Sequence, residues 1–220
     1  MKPVRHIFGR AAHDDLLCHH SMKAIVIAAV LLSTALLHSG EPARPLAVGD
    51  AIPDVTLRTE DDQAVRLRKL VSVKPTVLIF YRGGWCPFCT RHLSDLAGIE
   101  KDLETAGAQL LAISMDQPSK LREAPQREKL GYRLLSDSDA AAAKAFGIVF
   151  QVEDALVKKY KDAYRIDLEA ASGRTHHLLP HPAVFVADPD GKIRFAHVNP
   201  DYKVRLEPRQ VLEAAKPVAR

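Results

Sequence analysis

Cysteine is scarce in this 220-residue chain, with three in all. That is too few for a disulfide-stapled scaffold or a cysteine-rich structural zinc set. An excess of charge of one sign is lacking too. Lysine and arginine number 31 against 27 aspartates and glutamates, a formal net charge of +4, and the two signs are interspersed. No basic stripe of the kind that tracks a phosphate backbone is present, which excludes nucleic acid as a default partner. No glycine-rich loop fits a phosphate-cradling pattern, since Gly83-Gly84 alone matches neither nucleotide motif, so no organic cofactor is expected. Hydrophobic residues make up 47% of the chain, ample for one buried core and, at this length, for one domain.

Ala24 to Leu37 forms one apolar run, preceded by Met22 and Lys23 and followed by Ser39 and Gly40. It is shorter than the roughly 20 residues a bilayer-spanning helix needs. Its layout is that of a secretory signal peptide over 22–40, with a retained signal anchor as the alternative. Residues 1–21 are polar and hold four histidines, unlike an ordinary n-region, and read as a leader upstream of a start at Met22. Cys18 lies in that leader, so the exported chain keeps Cys86 and Cys89 alone. Residues 41–47, with Pro42 and Pro45, read as an exposed linker. The folded domain is expected over 48–217, exported and periplasmic or held outside the membrane by an uncleaved signal.

Val77 to Phe80, Leu110 to Ile113 and Val184 to Val186 are apolar runs without alternation, as in strands buried on both faces. Between the first two, Leu93, Leu96, Ile99 and Leu103 recur at helical spacing up to a stop at Gly107. Strand, helix and strand make a βαβ unit with parallel pairing. Further helices are expected over Ser119 to Leu130, Asp139 to Phe146 and Glu207 to Lys216, with a helical insertion over Phe150 to Leu168. A strand is expected at Arg133 to Leu135, and Pro189-Asp190-Gly191 reads as a hairpin turn. The fold class is α/β, a central mixed sheet flanked by helices.

The most informative stretch is YRGGWCPFC, Tyr81 to Cys89, where the first buried strand ends and a helix begins. A thiolate at a helix N-terminus faces unpaired N–H groups and the positive dipole end, which lower a cysteine pKa of about 8.5. Arg82 adds a second positive charge if its side chain turns inward. Pro87 suits a first helical turn because no N–H is needed there. Cys89 returns to nearly the same helix face, so the two sulfurs can close a small disulfide. Cys86, at the open end, is the expected attacking thiol, and Cys89, one turn deeper, the resolving one. Half of a zinc site is the alternative reading of C-x-x-C, but no second C-x-x-C exists and His176, His177 and His181 lie about 90 residues away. His92, one turn past Cys89, reads as an exposed or helix-supporting residue.

Three stretches, VGDAIPDVTL, FYRGGWCPFC and HPAVFVADPDGKIRFAHVNPDYKVRLEP, occur in that order. From about Val48 to Pro217 the chain resembles the alkyl hydroperoxide reductase/thiol-specific antioxidant branch of the thioredoxin superfamily. The similarity is strongest to peroxiredoxin-like proteins with a Tyr-Arg-Gly-x-Trp-Cys-Pro-x-Cys signature, in which Trp85 and Arg82 support the pair. The resemblance implies a thioredoxin-like fold, an attacking Cys86 and a redox partner Cys89. It also implies a cis-proline at Pro182 beside the pair, with His181 before it touching the sulfurs and tuning the thiolate.

The sequence departs from the family at three positions. The Thr or Ser typical three residues before the attacking cysteine is Gly83 here, and the Pro seven before it is Ile79. Pro182 stands where many relatives carry an Arg. Asn199 to Arg205 matches the family, with no task assigned to it.

Three functions follow as expectations. The first is a thiol peroxidase that reduces hydrogen peroxide or organic hydroperoxides and is restored by an external thiol reductant. The second is an exported thiol-disulfide oxidoreductase acting on protein disulfides. The third is a copper-binding accessory protein holding Cu(I) through Cys86, Cys89 and a His.

Overall fold

The computed structural model describes residues 44–124 and 127–216, all within the compact unit Pro42–Arg220. The expected leader and signal segment lie outside the described residues, as do Pro125 and the last four residues of the chain. The runs read as buried strands build the middle of a seven-stranded sheet. These are β3 (Thr76–Tyr81), β4 (Gln109–Ser114) and β8 (Ala183–Ala187). The outer strands are β1 (Thr56–Thr59), β2 (Ala64–Arg66), β5 (Arg133–Ser136) and β9 (Ile193–Val198), in the order β2-β1-β5-β4-β3-β8-β9. β3, β4 and β5 run parallel and the remaining pairs antiparallel, so the sheet is mixed as expected.

Side-chain alternation divides the core into two layers, one on each face. Leu78, Phe80, Leu111, Ile113 and Phe185 enter one layer, in which Phe80, Phe146 and Phe185 pack with ring centroids 4.8, 5.0 and 6.1 Å apart. Val77, Ile79, Tyr81, Leu110, Ala112 and Val184 enter the other, which also buries Cys86, Cys89, Leu93 and Leu96. At about 25 cal/mol per Å² each fully buried Leu or Phe contributes roughly 2 kcal/mol of transfer free energy, so both layers are needed to hold the sheet.

The long helix expected between β3 and β4 is two: α2 (Pro87–Ala97) and α3 (Glu100–Thr105), following a short α1 (Leu67–Val71). Gly98 caps α2 and Ile99 leaves helical geometry at φ −108°, ψ 6°. Glycine there makes the break inexpensive, and Leu93, Leu96 and Leu103 still reach the same layer. The helix expected from Ser119 is shorter, α4 (Pro118–Arg122), followed by a 3-10 turn at Arg127–Lys129.

α5 (Ala141–Ala145) starts two residues later than expected because Asp137, not Asp139, accepts the N–H groups of Ala142 and Ala143 at 2.9 and 2.8 Å. The insertion is not wholly helical. Val149–Gln151 forms β6, paired antiparallel with β7 (Leu178–Pro180), before α6 (Asp154–Tyr164) and α7 (Leu168–Ser172). The β8–β9 hairpin turns at Gly191, φ +83°, as its sequence predicts. α8 (Pro208–Ala215) closes the fold with a capping box between Glu207 and Gln210.

Candidate active site

β3 ends at Tyr81 and its extension, Arg82 to Trp85, delivers Cys86 as the N-cap of α2 with Pro87 in the first turn. Both cysteines are free thiols and nearly closed off, with 2% and 1% of their surface exposed, so Cys86 does not sit at an open end. The two thiols differ in ionisation rather than in exposure. The Cys89 thiol donates to the Cys86 sulfur, the Cys89 backbone N–H adds a second donor, and the charges of Arg82 and Arg205 favour the anion. Together they lower Cys86 to about 6. Burial and the neighbouring Cys86 push Cys89 far above the ordinary thiol range.

Arg82 turns inward, as the expected second cation would, and is 3% exposed. Its Nη2 donates to the Tyr160 hydroxyl. The guanidinium carbon lies 5.1, 5.4 and 4.3 Å from the ring centroids of Trp85, Tyr160 and Tyr202. Three aromatic faces stabilise a charge that burial alone would penalise. Tyr160 comes from α6 in the insertion, and nothing in its sequence marks it. Tyr202 and Arg205 come from Asn199 to Arg205, the family-like stretch left without an assigned task. The Nη2 of Arg205 donates to the Cys89 sulfur at 3.2 Å, while Tyr202 stacks edge-on against Phe88 with centroids 5.6 Å apart.

The cis-proline is corrected: no peptide bond among the described residues is cis. The chain enters β8 in extended form after the β6–β7 pair, with the His181 N–H donating to Ile148 O at 2.7 Å, and a trans bond meets that geometry. The Pro182 carbonyl instead accepts the Asn199 N–H at 3.1 Å, anchoring the segment that carries Tyr202 and Arg205.

The His181 ring stacks on Phe150 at 4.6 Å, and Phe150 packs in the layer away from the cysteines; burial lowers this imidazole. His92 is buried, not exposed. Its Nε2 meets Leu206 O at 3.0 Å, and burial lowers it to about 4. His176 bonds Ser138 O and His177 bonds Glu169. Among the described residues no three His, Cys, Asp or Glu side chains cluster as a metal site would require.

The absent hydroxyl at position 83 has a steric cause. A Cβ on Gly83 would collide with Trp85 Nε1 and lie 2.7 Å from Asp116 Oδ1. Asp116 is the other residue that sequence reasoning missed. Its signal was available: an acid just past the carboxyl end of a buried parallel strand, where ligand sites of α/β sheets gather.

A family model described as the AhpC/TSA family matches residues 48–196. The chain belongs to the AhpC/TSA family. It is 31% identical over 159 residues to Peroxiredoxin Bcp of Escherichia coli K12, a match covering 72% of this chain and 88% of that one. Among solved structures, Peroxidoxin BcpB from Mycobacterium tuberculosis superposes with a TM-score of 0.60 at 22% identity, covering 77% of this chain and 96% of that one. Reduced Prx3 from Vibrio vulnificus, crystallised in complex with H2O2, gives 0.63 at 16% identity, covering 78% and 99%. The shared fold is the thioredoxin-like one that the AhpC/TSA motifs imply.

Proposed function

We propose that the protein is a thiol peroxidase that reduces hydrogen peroxide or organic hydroperoxides through Cys86 and Cys89. The Cys86 thiolate attacks one peroxide oxygen, the O–O bond breaks, and the other oxygen leaves as alcohol or water after taking up a proton. The resulting sulfenic acid condenses with the Cys89 thiol, releasing water and forming a disulfide that an external thiol reductant reopens. The observation that carries this reading is the placement of two free, buried thiols at the N-terminus of α2 with Arg205 donating to the Cys89 sulfur, surroundings that lower Cys86 to about 6 and raise Cys89. The buried Nε groups of Arg82 and Arg205 have no acceptor among the described residues. They are donors available to an oxygen on which negative charge develops.

Two further observations weigh against the other readings. A trans Pro182 removes the groove-shaping element that disulfide exchange on proteins would use. His92, His176 and His177, three of the histidines a copper site could recruit, spend a ring nitrogen on other partners, and the His181 ring stacks on Phe150.

The test is stopped-flow mixing of the reduced chain with peroxide, following Trp85, the only tryptophan. Wild type should oxidise rapidly and Cys86→Ser should not respond. Cys89→Ser should react once and remain a sulfenic acid. Peroxide oxidation no faster than that of a small free thiol would overturn the proposal. We further propose that residues 22–40 direct export, which the N-terminal mass of the cell-derived protein would test.

A further inference from the structure

Asp116 is 2% exposed and stands two residues beyond β4. Its Oδ2 accepts the Gly84 N–H at 2.6 Å and the Ser114 hydroxyl at 3.3 Å, and its own N–H donates to Ser114 Oγ at 3.2 Å. Its Oδ1 faces the α-carbon of Gly83, beside the indole nitrogen of Trp85. Gly83 O in turn accepts the Cys86 N–H at 3.2 Å. The carboxyl thus lies under the turn that presents Cys86, and its partners are a backbone N–H and a hydroxyl rather than a cation.

Every element around it contributes a group. β3 supplies Tyr81, whose phenol burial and the Asp116 charge push well above its ordinary range, and the start of α2 supplies Cys86. α4 supplies Lys120, and Glu123, Arg165 and Asp167 line the groove of about 390 Å³ that ends on Asp116.

We propose that Asp116 is a positioning residue of the redox site: it clamps the Gly83–Gly84 turn that presents Cys86 and sets beneath that turn a carboxyl whose negative charge opposes the thiolate. This rests on the reading of Cys86 as the attacking thiol. Burial raises Asp116 to about 6, with Cys86 adding to the rise, and this is the range in which Cys86 itself ionises. Two like charges so placed titrate as a pair, each broadening the other's curve. Lys120 pulls Asp116 the other way, yet burial has the larger effect.

The decisive measurement is the thiolate absorbance near 240 nm against pH in the reduced full chain carrying Cys18→Ser in every variant, so that Cys18 adds no thiolate of its own. In wild type the thiolate should appear over more than a single-proton range. In Asp116→Asn, whose amide oxygen keeps the acceptor for Gly84, the curve should steepen to one proton. Its midpoint should move down by at least ~0.5 pH unit, about a threefold rise in the thiolate-to-thiol ratio at fixed pH. An unchanged midpoint and slope in a natively folded variant would overturn the proposal.

Should Asp116→Asn not fold, carbon-13 NMR of the aspartate carboxyls keeps the question open to refutation. Asp116 should titrate lower in Cys86→Ser than in wild type. Asp137, also raised to about 6 but capping α5, should stay where it is. Equal Asp116 midpoints in the two proteins would refute the coupling. Neither readout uses peroxide, so failure here leaves peroxide turnover standing, and a lack of peroxide turnover would leave the coupling intact.

Discussion

Removing the Cys89 thiol should raise the Cys86 pKa, and replacing it with a hydroxyl should not. The Cys89 S–H is the largest of the influences that bring Cys86 from 9.0 to about 6. A hydrogen bond to a charged acceptor contributes about 1.5–3 kcal/mol, which at 1.36 kcal/mol per unit is roughly one to two pKa units. Cys89→Ala should therefore place Cys86 near 7 to 8, while Cys89→Ser, which retains a donor at the same place, should stay within about half a unit of wild type. At pH 7 the thiolate-to-thiol ratio would fall from about 10 to somewhere between about 1 and 0.1 in the alanine variant.

Thiolate absorbance is the suitable assay because it needs no reagent to reach a sulfur with 2% of its surface exposed. Cys89 does not confuse the signal, since its own ionisation lies far above the range scanned, and Cys18 is replaced by serine in every protein compared. If alanine and serine variants titrate alike, or if alanine leaves the midpoint at the wild-type value, the donor from Cys89 is not what makes Cys86 an anion. The weight would then pass to the two arginines.

The remaining predictions concern the surroundings of the pair. Arg205→Met should raise Cys86 by removing a cation, and should raise the acid limb of His92, which the same guanidinium depresses; one thiolate titration and one histidine NMR titration check both. Gly83→Ala should destabilise the fold by about 1–3 kcal/mol of overpacking, since its Cβ meets Trp85 and Asp116, and calorimetry should show the melting temperature falling by several degrees. His92 carries its pKa down from 6.5 to about 4 on folding, so the folded state disfavours its charge. Its contribution is therefore intact above 6.5 and is lost progressively as pH falls from 6.5 toward 4, by at most about 3–4 kcal/mol. His92→Gln should flatten urea-derived stability over that window, and an unchanged slope would contradict the buried neutral imidazole.

The sheet was legible because its central strands are buried on both faces, so Val77 to Phe80, Leu110 to Ile113 and Val184 to Val186 stand out as unbroken apolar runs. Helix lengths were not legible. Periodicity across Leu93, Leu96, Ile99 and Leu103 survives the break at Gly98 because both helices pack on one layer, and a pattern of buried positions cannot register a change of axis between them. β6 was hidden for the opposite reason. Val149 to Gln151 is short and only half-buried, and its strand character comes from a partner, Leu178 to Pro180, nearly thirty residues on.

In the site, Cys86, Cys89, Arg82 and Trp85 were visible because they are contiguous. Tyr160 and Tyr202 were not, because each is recruited across the fold by the buried charge of Arg82, and Arg205 was not, because it reaches the Cys89 sulfur from a segment far along the chain. An arginine placed inside a protein must find donors' partners and polarisable faces wherever the topology offers them. Tyr160 is 78 residues from Arg82, and Arg205 is 116 from Cys89. The exposure argument for Cys86 fails on the same ground. A helix N-terminus is open only if nothing covers it, and the segment Asn199 to Arg205, tied to Pro182 by one backbone hydrogen bond, brings Tyr202 over Arg82 and Arg205 onto Cys89. What distinguishes the two sulfurs is therefore which of them accepts the hydrogen bond and which donates it, a relation between side chains that spacing along one helix leaves undetermined.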